Sequence, residues 1–204
     1  MGPSFWAAAA GQFRAEYRAR IEIDRVILPL ASLNAGDPRA LPALVVPYLL
    51  PSRYCESDRF EAFVQREFSG FDGGAKIAAM RDWIDNNVDY VSGASNGETS
   101  AADTFVQRQG VCRDFAHLLA GFARAAMIPA RLVSAYAPQV TPPDFHAVVE
   151  VWLDESWHLV DATGMAEPHE IVRICVGRDA TDIAFMTVFG TADFREQRVT
   201  VTRA

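Results

Sequence analysis

The sequence predicts an α+β domain in which helices pack on an antiparallel sheet. Three observations carry that expectation. Apolar residues recur at helical spacing through the middle of the 204-residue chain, the period changes to two beyond residue 130, and the helices precede the strands rather than alternating with them. Half of the residues are hydrophobic, 22% are charged and 11% are aromatic, which fits one compact domain and excludes a disordered or coiled-coil chain.

The opening reads as β. Between residues 18 and 24 polar residues alternate with Ile21 and Ile23, and an apolar stretch over residues 26–30 follows. Pro29, Pro38, Pro42, Pro47 and Pro51 come next, at a density that neither a helix interior nor a central strand accepts. Residues 1–50 are therefore read as a short N-terminal β and loop segment, and residues 51–204 as the main core.

Four helices follow. Ser57 caps a segment carrying Phe60, Phe63, Val64 and Phe68, with Gly70 at the C-terminal glycine position. A second helix shows Ile77, Met80, Ile84 and Val88 on one face. The third starts at a capping box, Ser100 with Asp103, and is expected to end at Gly110. In the fourth, Phe115, Leu118, Leu119, Phe122 and Ala126 form one apolar stripe, Ile128 and Pro129 stop it, and Cys112 sits in its first turn. Strands are expected over residues 131–137, 171–176 and 199–202, with a hairpin of 146–153 and 157–162 around Asp154, Glu155 and Ser156.

Composition narrows the function. A net charge of -7 has the wrong sign for a protein that neutralises phosphates, so nucleic acid is not expected as a partner. No apolar run approaches the roughly 18 to 20 residues needed to cross a bilayer, and residues 1–10 carry no basic region ahead of their alanines, so neither a membrane nor a secretory address is expected. Three cysteines, Cys55, Cys112 and Cys175, with no CxxC, suit a reducing cytoplasm better than a disulfide scaffold or structural zinc.

A cysteine performs acyl chemistry as its thiolate, with a base to manage the proton and donors for the developing oxyanion. Cys112 has the right position: a helix start offers unpaired N–H groups and the positive end of the backbone dipole, and Gly110 permits a sharp entry. Cys175 alternates with Ile174 and Val176 in a strand, and Cys55 lies in a polar loop. Among the histidines, His117 is five residues beyond Cys112 and off its face. His146 and His158 both lie in the hairpin, and His146, just after a proline-bearing loop at the sheet end, is the better base. Asp161 is the candidate to orient it.

Register decides whether those two meet. With Asp154 and Glu155 as a two-residue turn, paired residue numbers sum to 309, Asp161 falls opposite Val148, and His146 is its diagonal neighbour on one face. A three-residue turn without a bulge puts them on opposite faces. Tyr136 reads equally as a pocket residue or as the edge of the core, and Asp114 is a second candidate to touch substrate. Asp114 with Arg131 reads as either a bracing ion pair or plain surface charge. Phe60, Phe63, Phe68, Trp83, Trp152 and Trp157 read as core. Zinc at Cys112, His146 and Asp161 is the competing chemistry, but no short-spaced histidine pair supports it, and neither a metal nor a cofactor is expected.

The segments Gly110-Val111-Cys112-Arg113-Asp114-Phe115, Ile128-Pro129-Ala130-Arg131, Asp144-Phe145-His146-Ala147-Val148-Val149-Glu150-Val151-Trp152, Trp157 and Asp161-Ala162-Thr163 resemble the core of the transglutaminase-like superfamily of papain-type thiol enzymes. The likeness covers roughly residues 75–165, and Gly177-Arg178-Asp179 resembles the tail of bacterial members. It departs at Val148, where tryptophan is frequent in the family, and at Ala162, where proline is. The resemblance implies a papain-like fold over residues 51–204, with Cys112 as nucleophile, His146 as general base and acid, and Asp161 as orienting acid. It implies an amide hydrolase working through a thioester on a peptide, protein or other amide substrate. Acyl transfer to an amine, or a non-catalytic scaffold of the same fold, are the alternatives.

Overall fold

The computed structural model describes residues 5–203. Residues 1–4, part of the start read above, lie outside the described residues. The helices are α1 (Glu61–Phe68), α2 (Gly73–Asn87), α3 (Ala101–Gln107), α4 (Cys112–Ala125) and the single turn α5 (Ala180–Ile183). The strands are β1 (Asp89–Tyr90), β2 (Gln109–Gly110), β3 (Ala130–Tyr136), β4 (His146–Leu153), β5 (Ser156–Val160) and β6 (Val172–Gly177). Strands β5, β4, β3 and β6 lie side by side in that order, with every pairing antiparallel, while β1 and β2 form a small parallel pair. This is the predicted α+β architecture.

Helix α4 is the spine. Its Phe115, Leu118, Leu119 and Phe122 are sealed between the sheet and the other helices, against Leu132 of β3, Val149, Val151 and Leu153 of β4, and Val160 of β5. On its other side Phe122 meets the rings of Phe60, Phe63, Phe68, Trp83 and Phe105. The opposite face of the sheet has its own core of Val133, Ala135, Val148 and Leu159, closed by Ala137, Val140, Ala166 and Ile171. Period-two alternation thus sends neighbours on one strand into two separate cores. Trp152 and Trp157 are only half-buried, with Arg131 lying over the Trp157 ring at 4.0 Å.

Several boundaries differ from expectation, each for a local reason. Residues 18–30 form no strand before the short 3₁₀ turn Leu30–Ser32, and residues 199–202 form none either. Their alternation supplies side-chain pattern without a neighbouring strand to complete the ladder, and a lone strand leaves its N–H and C=O groups unpaired. Ser57 opens a 3₁₀ turn (Ser57–Arg59), and α1 starts only at Glu61, because the chain hydrogen-bonds from Phe60 N–H back to Ser57 C=O at that point. Helix α3 does begin at the Ser100 and Asp103 capping box but stops at Gln107, where Arg108 takes the left-handed conformation (φ 59°) and frees residues 109–110 to pair with β1.

The N-terminal third is not all loose. Leu33 C=O accepts from Gly74 N–H at 2.9 Å, and a Cβ on Gly74 would stand 1.7 Å from Leu30 C=O, so α2 packs on that turn only because residue 74 has no side chain. Asn34 is then fastened to the hairpin tip through Asp154.

Candidate active site

The hairpin has the two-residue turn. Leu153 faces Ser156 and Val149 faces Val160, and Asp154 and Glu155 both have positive φ (42° and 58°), as a tight turn matched to strand twist requires. Asp161, one residue past β5, accepts a hydrogen bond from His146 Nε2 at its Oδ2, 2.8 Å away. Thr163 N–H and hydroxyl hold Oδ1 at 2.9 and 2.8 Å, and Ala166 N–H holds Oδ2 at 2.9 Å. Burial would raise this carboxyl, but His146 and Thr163 together keep it below its ordinary value.

His146 is sealed from water, and its Nδ1 has no hydrogen-bond partner among the described residues. Burial alone would push the ring down. Hydrogen bonding to Asp161 and the influence of the Cys112 thiol override it and raise His146 to about 9. After Asp161, Cys112 is thus the second group that acts on the ring, and it makes no completed hydrogen bond to Nδ1 in this state.

The start of α4 is built for access. Val111 at the N-cap has no side-chain oxygen, and Asp114 reaches back from the third helical position to Val111 N–H at 2.8 Å. A helix so capped leaves the N–H of Cys112 without an acceptor inside the helix. Gly110 serves differently from expectation: it lies in β2, and a Cβ there would come within 2.7 Å of Asp114 Cβ, so the glycine makes room for the capping carboxylate. Asp114 is fully buried and paired with Arg113 at 3.0 Å, so it is not a substrate contact. Of the two readings left open for Asp114 and Arg131 neither holds: Asp114 is buried, and Arg131 bonds Glu150 at 2.6 Å across β3 and β4 instead.

The remaining candidates separate cleanly. Cys112 is partly accessible, whereas Cys55 is fully buried with its thiol pushed up to about 12 by burial, a position its polar sequence neighbours conceal. Cys175 is half-buried and points its sulfur at the C=O of Asp182, 3.7 Å away. His117 stacks on Tyr54, and its Nε2 accepts from Ala180 N–H at 3.2 Å. His158 stays at the hairpin tip, on Ser156 Oγ and Leu153 C=O. No group of three or more metal-binding side chains is present among the described residues.

One neighbour of Cys112 was not legible in the sequence. Tyr90 of β1 is pushed up by burial and by its neighbour Cys112, and drawn back down by the Cys112 backbone, while strand pairing sets Tyr90 beside Gly110, two residues before the thiol. A single tyrosine after α2 carries no pattern, and it reaches the site only because β1 pairs Tyr90 with Gly110.

The profile of the transglutaminase-like superfamily matches residues 63–162, which include Cys112, His146 and Asp161. The chain belongs to that superfamily. A solved structure of a candidate cysteine protease from Cytophaga hutchinsonii is 43% identical and superposes with a TM-score of 0.75 over 78% of this chain and 55% of its own. An uncharacterized protein of Mycobacterium leprae is 31% identical over 118 residues, covering 54% of this chain and 42% of its own. The periplasmic domain of TgpA from Pseudomonas aeruginosa is 26% identical with a TM-score of 0.49, over 65% of this chain and 51% of its own. The chain therefore spans about half the length of the relatives it matches. No helix among the described residues is long and apolar enough to cross a membrane.

Proposed function

We propose that this transglutaminase-like core is a thiol-dependent amide hydrolase, with Cys112 as nucleophile, His146 as proton carrier and Asp161 as the group that fixes His146. The observation that supports it most is the ring of His146. One nitrogen is bound to a buried carboxylate, the other is buried and free, and the groups that raise its basicity are Asp161 and then Cys112.

In the proposed cycle His146, raised to about 9, already holds the proton drawn from Cys112 at neutral pH, and Sγ attacks the amide carbonyl carbon. The oxyanion is met by the N–H of Cys112 and the hydroxyl of Tyr90. Collapse breaks the C–N bond as His146 returns the proton to the leaving amine, and a thioester remains. Water attacks the thioester carbon, its proton goes to His146, and the acid departs. Peptides, proteins or other amides are the substrate class, a reading favoured by the Cytophaga relative, which is described as a candidate cysteine protease. An amine in place of water would give transglutamination. Intact-mass trapping of a Cys112-linked acyl group, followed by product analysis with and without a primary amine, tests both halves: a Cys112→Ala variant that still forms the adduct ends the proposal, and an amide product replacing the acid moves it to acyl transfer.

A further inference from the structure

Helix α4 has 14 residues and β3 has seven, so at about 1.5 and 3.3 Å per residue they run roughly 21 and 23 Å. Residues 126–129 join the end of one to the start of the other, Leu132 of β3 packs with α4, and Ala135 near the end of β3 pairs with His146. The end of β3 therefore comes level with the start of α4, where Cys112 stands. Tyr136 is the last residue of β3, and alternation puts it on the same face as Leu132, which is the face that packs on α4. Extending the register from Ala135 and His146 sets Phe145 opposite Tyr136 on that face.

These two rings do not stand alone. Phe185, just beyond α5, stacks on Phe145 at 3.7 Å and lies 5.8 Å from Tyr136, while Tyr136 and Phe145 are 5.6 Å apart. None of the three belongs to either core of the domain. Phe185 is 40% exposed, and the other two are half-buried. An aromatic wall thus includes the residue before His146 and lies on the same side of the sheet as the thiol, and the fold itself makes little use of it.

We propose that Tyr136, Phe145 and Phe185 form an acyl-side subsite that selects amides carrying a large apolar or aromatic side chain at, or next to, the residue that supplies the scissile carbonyl. This rests on the hydrolase reading above. The acyl half is the part that stays on Cys112 as thioester, and the wall stands on the thiol's side of the sheet. An apolar side chain laid on three rings leaves water without burying any polar group. Discrimination of about tenfold per well-placed apolar group is what such a surface yields.

The test separates binding from turnover. Cys112→Ala protein is titrated, by fluorescence polarization, with tagged tetrapeptide amides that differ only in phenylalanine or alanine at the acyl-side position. The phenylalanine peptide is expected to bind about tenfold tighter, Phe185→Ala to remove that preference, and Phe185→Leu to restore part of it. Equal binding of the two peptides, or a preference unchanged in Phe185→Ala, overturns the subsite. Turnover by the wild-type protein is measured separately on the same peptides. Its absence alongside an intact binding preference strikes the hydrolase reading alone, and turnover without preference strikes the subsite alone.

Discussion

Replacing Asp161 by asparagine removes one charge from a carboxylate that four donors surround, and its cost can be worked from two sources. The first is proton linkage at His146. The ring rises from 6.5 to about 9, which at about 1.4 kcal/mol per tenfold is on the order of 3 kcal/mol. Because the folded value lies above the unfolded one, this stability is fully present below about pH 6.5 and is lost as pH rises through about 9. Asp161 supplies the main raising influence against burial, so most of it disappears in the variant. The second source does not depend on His146 charge. An amide NH₂ in place of either oxygen faces a donor, Ala166 N–H and the imidazole on one side or Thr163 N–H on the other, which costs about 1 to 3 kcal/mol.

Urea denaturation at pH 6.5 should therefore show Asp161→Asn less stable than the wild type by about 4 to 6 kcal/mol, and at pH 10 by only about 1 to 3 kcal/mol. NMR titration of the His146 ring should move from about 9 down toward the ordinary histidine value in the variant. A stability difference that is the same at both pH values would refute the linkage, whatever its size. Amide turnover should fall by about a hundredfold or more, because the ring loses its fixed orientation as well as its basicity.

Three further outcomes are expected. Iodoacetamide at neutral pH should label Cys112 well before Cys55, whose buried thiol sits at about 12, and peptide mapping showing equal rates would contradict the site. Gly110→Ala should destabilise the fold by about 1 to 3 kcal/mol in thermal melts, because the new Cβ meets Asp114 Cβ at 2.7 Å and forces the capping carboxylate off Val111 N–H. His117, held by burial at about 4, should make the protein lose stability as pH falls from about 6.5 to 4, since the unfolded chain takes up the proton first; a His117→Gln variant whose acid limb matches the wild type would remove that assignment.

The sequence was a good guide wherever one physical pattern decided the outcome. The parity of His146 and Asp161 followed from a turn length, because successive strand residues alternate faces and the pairing sum admits a single register. The α4 stripe was readable because a helix buried on most of its surface shows its period in every turn. Failure came where a pattern needs a partner that lies far along the chain. Residues 18–24 and 199–202 alternate as strands do, yet no neighbouring strand completes either, and alternation alone does not carry that information.

The site divides in the same way. Cys112 could be picked out by its helix position, while its companion Tyr90 could not, because the contact depends on a two-residue parallel pairing between β1 and β2 that no periodicity announces. Asp114 shows the converse error. An acidic residue two positions after a nucleophile looks like a group for substrate, but the absence of an oxygen on Val111 obliges some other side chain to cap the helix, and the third helical position is the one that reaches. Once that carboxylate is turned inward, Gly110 must lack a side chain, and the strand that carries Gly110 can press close enough to pair with Tyr90. The capping bond, the glycine and the tyrosine are thus one device for holding the thiol at the mouth of α4, and a change at any of them should be felt at Cys112 before it is felt in the sheet.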